Sequence, residues 1–118
     1  LNTLGILNTR EDFAKEYPDL VERVLQVYER GRSYALAYPE ELRRIFSIQA
    51  KQTEAVAALQ LGQRTDLSSA ALGAPKRKTI VEAGLALQQA GVISASVNVV
   101  AIADALIDNS FTNKLGIQ

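Results

Sequence analysis

A chain of 118 residues with 47% hydrophobic side chains has the material for one small core, and its thirteen basic residues balance thirteen acidic ones. No net field therefore selects nucleic acid or an anionic membrane. Cysteine and histidine are both absent, which removes thiolate nucleophiles, Cys/His zinc sites and the usual general base of hydrolytic triads.

Leu4, Gly5, Ile6 and Leu7 form an apolar run closed by Asn8 and Thr9, and this pattern predicts a buried strand near residues 4–8. Thr9 followed by Asp12 predicts a helix cap with an acidic first turn, opening a short helix that runs to about Tyr17. Pro18 fits the first helical position with its fixed φ and starts a longer helix. On that helix Leu20, Val24, Val27, Tyr28, Gly31, Ala35 and Tyr38 recur at spacings of three and four, which predicts one buried stripe. Pro39 repeats the device, with Leu42, Ile45 and Phe46 as the apolar positions of a third helix and Glu40 and Arg44 four apart. Thr53 can cap a fourth helix through about Gly62, carrying Val56 and Leu59, and residues 63–74 read as a surface connection. Pro75 starts a fifth, with Ile80, Ala83, Gly84 and Leu87 on one face and Gly91 as its C-terminal cap. Asn98 caps a last helix with Val99, Ile102, Ala103 and Leu106 inward, stopped by Asp108, Asn109 and Ser110, after which Phe111 packs back.

The expectation is thus a mostly α chain with one short strand and five or six helices. A lone strand cannot pair its own amides and carbonyls, so it must find a sheet in further sequence or pair with a second copy. The absence of methionine points the same way: Leu1 is not expected to be a native start, and the chain reads as part of something longer. The longest apolar runs fall far below the roughly 20 residues of a membrane-crossing helix. Missing cysteines suit the cytosol and the periplasm alike.

The run from Leu4 to Val21, with Arg10, Asp12, Phe13, Pro18 and Asp19 in it, resembles the segment after the second interlobe crossover in periplasmic solute-binding proteins of the aliphatic sulfonate, nitrate and taurine importers. The likeness continues in order through Val27–Arg30, Ala37–Glu41, Arg64–Ser68, Ala90–Ile93 and Ala105–Asp108, and so spans nearly the whole chain. It implies the carboxy-terminal segment of an α/β two-lobed fold, the periplasmic-binding-protein type II fold, with the rest of lobe one and lobe two lying outside these residues. It further implies capture of a small anion such as an alkanesulfonate, taurine, nitrate or a thiamine precursor, delivery to an ABC permease, and a periplasmic or membrane-anchored extracytoplasmic location. No catalysis, cofactor or metal is expected. The competing expectation is a small helical interaction module that docks partner helices and takes no small ligand.

Three residues are candidates for ligand contact. Asn2 and Thr3 would lie near the crossover and could donate to an anion's oxygens, or simply form a polar turn. Arg64 could address a sulfonate or nitrate by forked donation, or tie down its loop through Asp66. The helix start at Thr9 is rejected as an anion site, because Glu11 and Asp12 already occupy that field. Lys76, Arg77 and Lys78, and the pair Arg43 and Arg44, read as solvated helix faces; Tyr28, Tyr34 and Tyr38 read as core. The fragment is also expected to self-associate through its strand, and no nucleic acid is expected.

Overall fold

The computed structural model describes residues 4–118 and builds them, among the described residues, entirely from helices: α1 (Glu11–Glu16), α2 (Pro18–Ala37), α3 (Pro39–Gln49), α4 (Glu54–Gln63), α5 (Ala74–Gln89), α6 (Val99–Leu106) and α7 (Ser110–Leu115). No strand occurs among them, so the expected α/β fold is corrected to all-α. Residues 4–8 show why: nothing among the described residues offers them a ladder, and Gly5 to Asn8 stay exposed, where water can satisfy the backbone. The sequence pattern specified apolar character there but not a pairing edge.

Local punctuation explains the helix ends. Pro18, Pro39 and Pro75 each occupy the first or second helical position, where a missing amide hydrogen leaves no bond unmade. Thr53 accepts a hydrogen bond from the Val56 amide at 3.3 Å, and Asn98 from that of Ala101 at 3.0 Å, so both caps form as expected. Thr9 does not cap; Arg10 stands at that position without a capping bond, its guanidinium donating instead to Asp12. Gly91, at φ +74, closes α5 while the Val92 amide donates back to the Leu87 carbonyl at 2.9 Å. A seventh helix, α7, follows where only a stop was expected, ended by Gly116 at φ +66.

Packing is pairwise. α3 and α4 form a hairpin that buries Ala57 completely, α1 and α3 rest on the two ends of α2, and α7 returns to α2. α5 and α6 pack on each other, with Val99 seated against Gly84. The buried residues are Ala35, Ala57, Val99 and Ala103, none larger than valine. On α6 this supports the expected inward placing of Val99 and Ala103, but Ile102 and Leu106 face out.

The array is open. Its radius of gyration is 16.8 Å, where a compact domain of this length has about 13.5 Å. Its accessible surface is 8973 Å², against roughly 6,300 Å² for a compact monomer of the same mass. No helix among the described residues is long and apolar enough to cross a membrane.

Candidate docking face

α2 positions the surface that most distinguishes this molecule. An apolar stripe runs along one side of it by the 3.6-residue period, while Val21 and Leu25 lie on the more sheltered side. Val21, Glu22, Leu25, Glu29 and Arg32 are the half-buried positions. Leu20, Val24, Val27, Gly31, Tyr34 and Tyr38 are exposed. The stripe expected to be buried is therefore corrected to an outward one, with Ala35 at its edge as its only buried member.

Polar chemistry explains the rotation. Arg32 forks onto Glu29, its Nη2 donating to Oε1 at 2.6 Å and its Nε to Oε2 at 2.8 Å. Its Nη1 reaches the carbonyls of Leu67 at 2.7 Å and Ser68 at 3.2 Å. This arginine thus fastens the 64–73 connection to α2, and the bidentate bond holds the Glu29 carboxyl below the usual glutamate range. Two turns earlier on α2, Glu22 pairs with Lys114 of α7, which raises the lysine above its ordinary value. Two charge-assisted clamps occupy the polar side of α2, and the apolar stripe is left open to solvent, with Val27 and Gly31 at the wall of a groove shared with α3 and the connection.

Between α2, α3 and the connection runs an open groove of about 450 Å³, floored by Val27, Gly31, Ala35, Leu42 and Leu67 with Tyr28 and Arg32 at its margins. Tyr34 and Tyr38 meet in a tilted arrangement at one end of the exposed stripe, with ring centroids 4.7 Å apart. These tyrosines, with Tyr28, are 50%, 56% and 62% exposed, so the expectation that they form core is corrected. Arg23 and Arg30 line one edge of the stripe, and neither makes an ion pair among the described residues. Sequence reading passed over these two arginines; their seven-residue spacing beside an apolar heptad was the available signal.

Asn2 and Thr3 lie outside the described residues. Arg64 is exposed at the C-terminal end of α4, where its amide donates to the Gln60 carbonyl at 3.2 Å. Its guanidinium makes no hydrogen bond among the described residues, and it does not line the groove beside α2. The connection is tied instead by Thr65 Oγ1 to the Gln60 carbonyl at 2.9 Å, by Asp66 accepting from the Ser68 amide at 2.8 Å, and by Arg32. Of the basic cluster, Lys76 donates to the Ser69 carbonyl at 2.5 Å, Arg77 to Asp104 at 2.8 Å, and Lys78 stands 3.7 Å from Glu82. Arg43 and Arg44 pair with Glu40 and Glu41 one turn earlier. No group of three acidic side chains fit to hold a metal is found among the described residues.

Comparison with known proteins gives no match for this chain among family models, curated proteins or solved structures.

Proposed function

We propose that this chain is a helical docking module, whose work is to bind protein surface through its outward apolar helix faces. The observation that carries this reading is the orientation of α2: its six seam residues face solvent while Glu29 and Arg32 take the sheltered side. A helix so turned holds its apolar surface in reserve, because a partner that covers it recovers the transfer free energy that folding leaves unused, about 25 cal/mol per Å² of apolar area. The side-chain inventory supports binding over chemistry, since no nucleophile sits beside a base in the groove.

Tyrosine emission tests it. The chain has four tyrosines and no tryptophan; two of them lie on α2 and Tyr38 caps its C-terminal end. In dilute solution a neutral quencher is expected to reach them readily, and a hydrophobic dye to bind. Tyrosines shielded from quencher, with no dye uptake, would contradict the reading.

A second reading is the solute-binding component of an ABC importer, taking a small sulfonate, taurine or nitrate outside the cytoplasm. What favours it is the ordered series of motifs from Leu4 to Asp108, several of which sit on helix punctuation, as at Pro18, Pro39 and Gly91. In this reading the apolar faces are covered by the remainder of the receptor, and Arg64 with Asn2 and Thr3 contacts the anion. Calorimetric titration with taurine, methanesulfonate and nitrate separates the two. Saturable heat that Arg64→Ala abolishes supports the importer; no heat with any of the three removes its ligand.

A further inference from the structure

The exposed stripe of α2 follows a strict alternation of four and three: Leu20, Val24, Val27, Gly31, Tyr34, Tyr38. That is the a/d pattern of a coiled-coil seam, and it spans about 27 Å of helix at 1.5 Å per residue. It is also symmetric about Glu29. Position 20 mirrors 38, 24 mirrors 34 and 27 mirrors 31, so two copies laid antiparallel bring every a residue against a d residue.

The side chains suit that register. Leu20 meets Tyr38, Val24 meets Tyr34, and Val27 meets Gly31, so each layer pairs a larger group with a smaller one. Gly31 has open space around its Cα, with no atom within 4 Å of an added Cβ, and can receive the facing valine. On one flank Tyr28 stands beside its own copy near the dyad, 62% exposed in the single chain. A charge balance of thirteen against thirteen gives no long-range repulsion between copies.

Area agrees. The surface of 8973 Å² exceeds that of a compact monomer by roughly 2,700 Å² per chain, and obligate homodimers bury about 1,000–2,500 Å² on each partner, so the chain carries enough uncovered surface for such an interface. We infer that a second copy of this chain covers the α2 seam, forming an antiparallel two-fold pair with Val27 against Gly31 at its centre. The inference rests on the docking reading and gives it an occupant. One feature opposes the pair: Arg30 faces the same arginine of the other copy across the exposed flank. Like charges there repel weakly and are screened by salt, so the dimer tightens as salt is raised and when Arg30 is replaced by glutamine.

Sedimentation equilibrium of the whole chain over a concentration series tests this, with circular dichroism to verify that each variant keeps its helices. The wild type is expected to reach dimer mass. Val27→Glu and Gly31→Glu should weaken dimerisation about a hundredfold or more, since each buries two unpaired carboxylates. Gln26→Glu, on another face of α2, should leave it unchanged. The chain has no cysteine, so introduced thiols report register: under mild oxidation, chains carrying Val24→Cys should cross-link to chains carrying Tyr34→Cys and not to one another. A wild type that stays monomeric, a dimer indifferent to both glutamates, or efficient cross-linking of Val24→Cys alone would each overturn the inference. A monomer that still binds dye and exposes its tyrosines leaves the docking reading in place; a compact, dye-silent monomer removes both.

Discussion

Gly84 is the residue on which one helix crossing depends. A Cβ built there would stand 2.6 Å from Val99 Cγ1, and Val99 is buried. Gly84→Ala should therefore lower stability by about 1 kcal/mol net, an overpacking loss of about 1–3 kcal/mol partly offset by the better helix propensity of alanine. Adding Val99→Ala should restore part of it. Thermal melts of the two single variants and the double give the coupling; simple additivity would mean that the two positions do not touch. Lys51 makes the opposite case, holding φ +52 in the turn between α3 and α4, a region that side chains other than Asn, Asp and Gly rarely adopt. Lys51→Gly is expected to raise the denaturation midpoint, by about 0.5–1 kcal/mol equivalent. The caps at Thr53 and Asn98 were readable in the sequence because a cap is a bond between near neighbours. The left-handed Lys51 was not, since the α3–α4 hairpin imposes its conformation against its own preference.

α2 shows what periodicity specifies and what it leaves open. The spacing of Leu20, Val24, Val27 and Gly31 established a helix with an apolar side, and that helix forms with Pro18 at its start as expected. Which side faces the rest of the chain was not in the spacing. It is decided by Arg32 reaching Leu67 and Ser68, residues 35 and 36 positions away, and by Lys114 reaching Glu22 across 92 positions. The same holds at Arg64, whose sequence neighbours suggested an anion contact or a tie to Asp66. Asp66 is instead engaged by Ser68, and the arginine is left in solvent. A pH dependence follows from the Arg32 clamp. Glu29 binds its proton less tightly in the folded chain than in the unfolded one, so its contribution is complete above the ordinary glutamate range. That contribution is lost as pH falls through the lowered folded value. Melting followed by circular dichroism should show the midpoint falling on acidification through this window, and Glu29→Gln should flatten that part of the curve. An unchanged slope in the variant would mean that the clamp does not hold the connection to α2.

At the scale of the whole molecule, the residues at 4–8 and the helix faces teach the same lesson. An apolar run states that some surface is to be covered, without saying by what. Five of the six expected helix starts were legible because proline and capping side chains act locally, the exception being the Arg10 start of α1. The sheet was not available to residues 4–8, and the small core of Ala35, Ala57, Val99 and Ala103 leaves most large apolar side chains outward. A chain with so little interior is held by its hairpins and by three long-range clamps, Arg32 to the 64–73 connection, Lys114 to Glu22 and Arg77 to Asp104. Cutting one of them with Arg77→Ala should loosen α6 from α5 while leaving α2 to α4 protected, which amide hydrogen exchange resolves by segment. Uniform loss of protection would show that the array melts as one unit.

The openness of the array carries the functional reading, and small-angle scattering extrapolated to infinite dilution measures it without a partner. A radius of gyration near 16.8 Å is the predicted result, with the α2 face available to whatever covers it. A value near the ~13.5 Å of a compact domain would mean that the chain closes on its own apolar surface, and the docking account would be contradicted.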